Sequence, residues 1–295
     1  MRIMVTGGNG FIGSYLLPRL AEAGHVVFHP GEAEMDLRSL TDVEAAVRRF
    51  DPQIVFHLAA KTEVAWSFDD YEDVSDVNYL GTVRLAEACR KHATDFQLFI
   101  MASTMETYGH HEAPAPFTEG TPQYPMAPYA VAKVAAEKYL QYMQYAYNFP
   151  FTILRQTNTY GRDRNDFFVM ERIITQMLAG NVVNLGEPDP IRNFLYIDDL
   201  IDLYFKVLEK RPVGSTFVTG PNNGLTIREL VEKIAAILDW KGQVNWHTIP
   251  KRPGEIYYLN SDPYKARLLL GWEPKVSLSK GIRKTIDIWR QAKVA

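Results

Sequence analysis

A tyrosine and a lysine four residues apart, Tyr129 and Lys133, could together carry out proton transfer. They lie in a stretch of helical pattern, so both side chains fall on one face of a helix. A nearby ammonium group stabilises a phenolate and is expected to lower the pKa of the tyrosine. Such a phenol can exchange a proton with a hydroxyl group. With 16 tyrosines in the chain the spacing alone is weak support, and a surface pair on an amphipathic helix is the alternative.

A glycine-rich turn follows the first apolar segment of the chain. Residues 6–13 read Thr-Gly-Gly-Asn-Gly-Phe-Ile-Gly, with glycines spaced three apart. Glycine permits a tight turn and a close approach of backbone to phosphate. The helix that follows would offer its N–H groups and the positive end of its dipole to a pyrophosphate. We therefore expect a dinucleotide to bind here, with an ordinary turn as the alternative. The residues expected to bind it are Gly7, Gly10, Phe11, Ile12 and Gly13.

The residues after the second predicted strand bear on the choice of dinucleotide. An acidic residue at the end of that strand would hold the adenosine ribose and favour NAD. The strand ends instead in residues 28–30, Phe-His-Pro, with Glu32 close behind and no basic residue before Arg38 to pair with a 2′-phosphate. These features favour NAD and leave NADP open. Asp36, followed by Leu37, would either accept a hydrogen bond from the adenine amino group or cap a turn.

Strands and helices alternate through the first half of the chain and must position these groups. The predicted strands are Arg2–Thr6, Val26–His29, Ile54–Leu58, Gln97–Ser103 and Phe151–Arg155, and the predicted helices are Phe11–Ala23, Thr41–Phe50 with Thr41 as N-cap, 74–92 and 129–147. This alternation implies right-handed βαβ units and a parallel sheet. We predict an α/β fold with a Rossmann-type doubly wound parallel sheet. Thr104 would then lie at the carboxyl end of a strand, where such sheets bind ligands.

Beyond Arg155 the chain changes to loops rich in Asn, Gly, Asp and Pro, joined by short helices. The predicted helices are 167–179, 198–210, 226–238 and 281–290. We expect residues 1–155 to form the dinucleotide-binding domain, with 194–220 returning to it. Residues 156–295 would mainly form a smaller α/β substrate-binding region.

Composition excludes several classes of protein. The 295 residues are 46% hydrophobic and 23% charged, as in globular proteins, and the formal net charge of −3 gives no reason to expect nucleic-acid binding. No apolar run approaches the ~18 residues of a membrane span, and the N-terminus lacks a signal-peptide pattern. The single cysteine, Cys89, rules out an intrachain disulfide and a cysteine-based zinc site. We expect no bound metal, no membrane partner and a cytoplasmic location.

Nine short motifs in order resemble the extended short-chain dehydrogenase/reductases, and specifically their NAD-dependent sugar-nucleotide epimerase/dehydratase branch. In the first half these are the glycine loop, Leu58-Ala59-Ala60, Asn78, Ser103-Thr104 and Tyr129-Ala-Val-Ala-Lys133. In the second half they are 155–161, 192–199, 251–255 and 270–274. Together they cover almost the whole chain.

The resemblance implies roles for particular residues. Thr104, Tyr129 and Lys133 would be the catalytic trio. Leu58, Ala59 and Ala60, with Tyr129 and Lys133, would line the cofactor site. Asn158 would contact the phosphate or sugar of a nucleotide-diphosphate sugar, and Arg192 and Arg252 would hold its diphosphate, since a guanidinium group binds phosphate oxygens in a bidentate manner. The family further implies a tightly held NAD and a homodimer formed through helices near 78–92 and 129–147.

The residues after Thr104 bear on the reaction. Glu106 falls where family dehydratases have the base that removes the C5 proton of an oxidised sugar. Met105 departs from the pattern, because it replaces a proton donor and a thioether cannot donate a proton. We therefore expect modification through a transient 4-keto sugar, most simply 4,6- or 5,6-dehydration. The alternatives are 4-epimerisation, 4-keto reduction, decarboxylation of a uronic acid, or a non-catalytic dinucleotide sensor on the same fold.

Overall fold

A computed structural model describes residues 1–112 and 115–292. The predicted regions 1–155 and 156–295 therefore include residues 113–114 and 293–295, which lie outside the described part. The chain divides into two compact units. The first comprises Met1–Gly109, Thr121–Gln156 and Tyr204–Phe217, and the second comprises the described residues of His110–Gly120, Thr157–Leu203 and Val218–Ala295. The functional division between the predicted regions stays a prediction.

The secondary structure over this part of the chain alternates as expected in the first half. The strands are β1 (Arg2–Thr6), β2 (Val26–Phe28), β3 (Ile54–His57), β4 (Leu98–Thr104), β5 (Phe151–Gln156), β6 (Asn158–Tyr160), β7 (Val182–Asn184), β8 (Ile191–Arg192), β9 (Phe194–Tyr196), β10 (Ser215–Val218), β11 (Leu225–Thr226), β12 (Gln243–Asn245) and β13 (Tyr258–Leu259). The helices are α1 (Phe11–Glu22), α2 (Leu40–Phe50), α3 (Tyr71–Ser75), α4 (Gly81–His92), α5 (Pro128–Tyr147), α6 (Val169–Ala179), α7 (Ile197–Lys210), α8 (Ile227–Leu238), α9 (Tyr264–Leu270) and α10 (Leu278–Ala292).

The first unit is built on a six-stranded sheet in the order β10-β5-β4-β3-β1-β2. The pairs β1–β2, β1–β3, β3–β4 and β4–β5 are all parallel. The order reverses at β1, since β2 lies on one side of it and β3 on the other. A crevice at such a reversal, at the carboxyl ends of the strands, is where open α/β sheets bind ligands. The predicted doubly wound parallel sheet is confirmed.

Local chemistry explains where several helices begin and end. The predicted N-cap Thr41 was the wrong residue: Ser39 caps α2, because its hydroxyl accepts the N–H of Asp42 at 3.3 Å. The predicted helix 74–92 is in fact α3, a π-helical turn over Asp76–Leu80, and α4 in succession. Helix α5 starts with Pro128 in its first turn, where the missing N–H costs nothing.

The hydrophobic core of the first unit lies between the sheet and helices α2, α4 and α5. Strand residues such as Met4, Val55 and Phe99 are fully buried there. Leu85 of α4 and Leu140 of α5 pack against them. This packing fixes α5 against the sheet, and so fixes the helix that carries Tyr129 and Lys133.

The second unit contains small sheets and helices. Strand β8 pairs with β11 in antiparallel and with β13 in parallel orientation. Strands β7 and β12 form a parallel pair, as do β6 and β9. Helix α8 begins with a capping box between Thr226 and Glu229. Helix α9 was missed in the sequence, because its seven residues are too few to show a periodic pattern.

Candidate active site

The glycine loop lies between β1 and α1 as predicted. Gly7 has a φ of +69°, and a Cβ there would lie 2.6 Å from the backbone nitrogen of Ala59. A Cβ on Gly13 would lie 2.3 Å from the carbonyl oxygen of Gly8. Both glycines are thus required by the packing of the chain on itself.

Gly10 has a different environment. It is the N-cap of α1, and a Cβ there would meet only the carbonyl oxygen of Gly7, at 3.2 Å, within 4 Å. Its φ of −80° is open to any residue. A Cβ on Gly10 would therefore press on this one backbone oxygen only, at the point where the N–H groups of Phe11 and Ile12 begin the helix. The phosphate of the expected dinucleotide would be stabilised there, because the N-terminus of a helix favours an anion through its N–H groups and its dipole.

The segment after β2 is strongly acidic and holds the guanidinium of Arg38. The Asp36 carboxylate accepts the backbone N–H of Arg38 at 2.9 Å and its Nε at 3.0 Å. Asp73 accepts Nη1 at 3.1 Å, and Glu32 accepts Nη2. Hydrogen bonds from Arg38 lower the pKa of Asp36. Asp36 thus forms the turn that was weighed as the alternative to adenine binding.

The carboxyl end of β3 is tied to the glycine loop through a buried histidine. The N–H of Ala59 donates to Thr6 Oγ1 at 3.2 Å, and Thr6 Oγ1 lies 2.8 Å from His57 Nδ1. On its other side His57 Nε2 lies 2.9 Å from Thr82 Oγ1, whose hydroxyl donates to the Asn78 carbonyl at 2.8 Å. Burial lowers the pKa of His57 to about 3, with the charge of Lys133 acting in the same direction.

Lys133 and Tyr129 are both buried on the inner face of α5. The ammonium group of Lys133 donates to the carbonyl of Ala102 at 3.0 Å. Burial lowers the pKa of Lys133 to about 8, although the charge of Glu137 opposes this shift. The lysine can therefore exist in both protonation states near neutral pH.

The expected lowering of the Tyr129 pKa is wrong for this structure. The pKa of the phenol is raised, first by burial and then by the negative charge of Glu106. A hydrogen bond with the side chain of Thr104 acts in the opposite direction but does not outweigh them. The structure thus places the side chains of Thr104 and Glu106 close enough to Tyr129 to act on its pKa, and burial is the largest of these influences. Lys133 is not among the groups that shift the pKa of this phenol.

Glu106 lies in a short 3-10 turn, Met105–Thr107, at the end of β4. Its backbone N–H donates to Thr104 Oγ1 at 3.1 Å, which starts the turn. Met105 is buried with only 2% of its surface exposed, so the residue that departs from the dehydratase pattern packs into the interior. Glu106 remains half-buried. The turn therefore supplies one carboxylate beside the phenol and no proton donor at position 105.

A buried ion pair behind these residues was not singled out in the sequence. Glu137 is fully buried in α5, one turn after Lys133, and Arg155 in β5 is 4% exposed. Arg155 donates to the Glu137 carboxylate through Nε at 3.1 Å and Nη2 at 2.7 Å. The sequence signals were the spacing of Glu137 four residues beyond Lys133 and the place of Arg155 at the start of the 155–161 motif.

The predicted substrate arginines lie in the second unit and share one carboxylate. Arg192 Nη2 donates to Glu255 Oε1 at 3.3 Å, and Arg252 Nε donates to Oε2 at 3.1 Å. Arg192 is held in β8 beside β13, while Arg252 lies in the loop before it. Asn158 donates weakly to the carbonyl of Asn193, 3.5 Å away. Glu255 thus brings the two arginines together, as binding of one diphosphate would require.

Two features are absent from the described ranges, 1–112 and 115–292. No three His, Cys, Asp or Glu side chains there are grouped so that they could hold a metal ion. No helix there has the length and apolar character needed to cross a membrane.

Comparison with known proteins places the chain in a family. The family model described as "NAD dependent epimerase/dehydratase family" matches residues 3–220. The chain is 32% identical to the UDP-glucose 4-epimerase of Mycolicibacterium smegmatis, over 98% of this chain and 99% of that protein. It is 27% identical to the dTDP-glucose 4,6-dehydratase of Haemophilus influenzae, over 97% of each.

A solved structure agrees with this placement. The UDP-glucose 4-epimerase of Thermus thermophilus in complex with NAD superposes with a TM-score of 0.89, at 30% identity, covering 98% of this chain and 99% of that one. The chain belongs to the NAD-dependent epimerase/dehydratase family of enzymes.

Proposed function

We propose that the protein dehydrates a nucleotide-activated sugar after oxidising it at C4. The observation that carries this proposal is the carboxylate of Glu106 beside the phenol of Tyr129, close enough to raise the pKa of that phenol. The phenol of Tyr129 is suited to take the proton of the C4 hydroxyl, and the carboxylate of Glu106 is suited to take a proton from the neighbouring carbon, C5. Both known activities among the relatives, 4-epimerisation and 4,6-dehydration, begin at C4 of a sugar nucleotide in this interpretation.

The chain's own residues then divide the work. Tyr129 would take the proton of the C4 hydroxyl in its phenolate form, to which Thr104 is hydrogen-bonded. Because burial and Glu106 raise the pKa of this phenol, that form needs positive charge close by, which Lys133 or an oxidised nicotinamide would supply. NAD, when bound, would accept the hydride from C4 and return it to C6 in a 4,6-dehydration or to C4 in a 5,6-dehydration. Glu106 takes the C5 proton, which the adjacent ketone has made acidic. The C6 hydroxyl leaves as water, and its proton comes from solvent or from a group other than Met105.

The glycine loop and the acidic segment after β2 would hold the cofactor. Gly7, Gly10 and Gly13 would face the pyrophosphate. NAD is favoured over NADP, because the guanidinium that could meet a 2′-phosphate is already bound by Asp36, Asp73 and Glu32. In the second unit Arg192 and Arg252 would bind the substrate diphosphate, and Asn158 its phosphate or sugar.

A 4-epimerase is the second candidate function. It is favoured by Met105, because the usual proton donor for departure of the C6 hydroxyl is missing. The 32% identity to the mycobacterial 4-epimerase points the same way. In that reaction Glu106 would be a polar loop residue without a role at C5.

The assembly and the location of the protein also belong to this proposal. Helix α5 exposes apolar surface at Val131, Tyr142 and Tyr145, which are 52%, 47% and 94% exposed. Such a surface on a long helix supports the homodimer expected of the family. A cytoplasmic location stays a prediction.

Incubation with a panel of UDP-, dTDP- and GDP-sugars, followed by mass spectrometry, tests the proposed reaction. Loss of one water from a substrate supports dehydration, and loss of carbon dioxide would mean decarboxylation instead. An isomer of unchanged mass would establish the epimerase and overturn the proposal.

A further inference from the structure

Arg155 contacts both elements that carry the proposed catalytic groups. Its Nε and Nη2 bind Glu137 of α5, the helix of Tyr129 and Lys133. Its Nη1 donates to the hydroxyl of Tyr108 at 2.9 Å, and the guanidinium lies 5.1 Å from the centre of the Tyr108 ring. One planar side chain therefore joins α5 to the residue that follows the Glu106 turn.

Tyr108 in turn fixes the Glu106 turn. It is fully buried, and its N–H donates to the carbonyl of Met105 at 3.0 Å, which closes the turn. Its own carbonyl accepts the N–H of Tyr124 at 3.1 Å. If the ring of Tyr108 shifts, the turn that carries Glu106 must shift with it.

Glu137 makes the matching contact with the end of β4. Its carboxylate accepts the hydroxyl of Ser103, the residue before Thr104, and also Gln123 Nε2 at 2.9 Å. The ion pair thus reaches the residues on both sides of the Thr104–Glu106 segment: Ser103 through the carboxylate and Tyr108 through the guanidinium.

The chemistry requires an arginine here. Only a guanidinium presents donors along two edges in one fixed plane, whereas a lysine ammonium is a single point charge. A buried ion pair is also a weak source of stability, because desolvation offsets much of its attraction. The function of this ion pair is therefore better judged from the groups that it holds in place than from the stability that it contributes.

We propose that Arg155 is a positioning residue that holds Glu106 at a fixed place relative to Tyr129, by binding Glu137 on one edge and Tyr108 on the other. This inference rests on the proposed function, in which the carboxylate and the phenol act on one sugar. It adds a residue that touches neither substrate nor cofactor.

Tyr108→Phe is the sharpest test, because it keeps the ring and removes only the hydroxyl that Arg155 binds. Hydrogen–deuterium exchange of the amides of Glu106 and Tyr108 should accelerate about 10-fold, the scale for loss of one anchoring hydrogen bond. Tyr264→Phe, at a residue that is 61% exposed on α9, should leave this exchange unchanged. Unchanged exchange in Tyr108→Phe would overturn the inference whatever reaction the enzyme performs.

A kinetic measurement separates this inference from the proposed function. With a turned-over sugar nucleotide in deuterated water, Tyr108→Phe should slow deuterium entry at C5 by about 10- to 100-fold, the effect of misplacing a catalytic group. KM and the rate of NAD reduction should remain within twofold. Arg155→Lys, which retains the charge facing Glu137, should show the same split. If both variants exchange deuterium at C5 at the wild-type rate, the positioning role is refuted and the proposed dehydration is not. If the wild-type enzyme itself shows no deuterium exchange at C5, the proposed dehydration is refuted. The hydrogen–deuterium exchange of the amides then still tests the role of Arg155.

Discussion

His57 Nε2 lies 2.9 Å from Thr82 Oγ1, and this contact decides which nitrogen of the His57 ring carries the proton. The ring in turn is hydrogen-bonded to Thr6, at the start of the glycine loop. The Thr82 hydroxyl gives its only proton to the Asn78 carbonyl, so it must accept one from Nε2. A neutral ring then accepts at Nδ1, and the hydroxyl of Thr6 donates to it. His57 is thus the Nε2–H tautomer, beneath the loop that would hold the cofactor.

Protonation of His57 should cost stability in acid. Its pKa falls from 6.5 unfolded to about 3 folded, so between those values the unfolded chain binds the extra proton. Stability therefore decreases as the pH falls through this window, by up to ~1.4 kcal/mol per pH unit from this residue. Urea unfolding at pH 6 and pH 4.5 should show a steeper loss for the wild type than for His57→Gln. Equal slopes would contradict the neutral, buried histidine.

Gly10 and Gly13 should fail in different ways when replaced. Gly10→Val should fold with only a small decrease in melting temperature, because a Cβ there presses on a single atom, the Gly7 carbonyl oxygen at 3.2 Å, yet lose NAD binding in calorimetric titration. Gly13→Val should destabilise the fold itself, since its Cβ would collide with the Gly8 carbonyl. Gly180→Val, at an extended residue with open space around its Cβ, is the control. If Gly10→Val binds NAD with normal affinity, the glycine loop at Gly10 does not bind the pyrophosphate of the cofactor.

The acidic segment after β2 should discriminate against a 2′-phosphate. NADH should bind at least about 10-fold more tightly than NADPH, as measured by cofactor fluorescence. Glu32→Ala should narrow this difference by strengthening NADPH binding, because one edge of the Arg38 guanidinium is released. Glu232→Ala, a change of the same charge on α8, should leave the ratio unaltered. Equal wild-type affinities for the two cofactors would show that the acidic segment does not select NAD.

Local patterns in the sequence were enough for the parts of the fold that depend on neighbours along the chain. The glycine loop, strands β1 to β5 and the helix that carries Tyr129 and Lys133 each fall within one short segment of the chain. Strand β10, which comes from a distant part of the sequence, was not predicted as a strand. Even within a short segment, serine and threonine are both common N-cap residues, so the sequence does not distinguish Ser39 from Thr41. The hydrogen bond from the Asp42 N–H to the Ser39 hydroxyl decides between them.

Contacts between distant residues could not be predicted in the same way. Arg155 meets Glu137 across 18 residues and Tyr108 across 47, and no spacing rule links them. The raised pKa of Tyr129 likewise depends on how completely the folded chain excludes water from the phenol. Burial and three-dimensional proximity, rather than residue type, decide both.

The reaction assigned to Glu106 is tested most directly by Glu106→Gln in deuterated water. Glutamine keeps the size of the side chain but cannot take a proton from carbon. With a nucleotide sugar that the wild type dehydrates, we expect Glu106→Gln still to reduce bound NAD, but to form no dehydrated product and to incorporate no deuterium at C5. Tyr129→Phe, by contrast, should slow NAD reduction itself by ~10²–10⁴-fold. Full product formation by Glu106→Gln, or a wild type that yields only the C4 epimer without C5 exchange, would contradict the account.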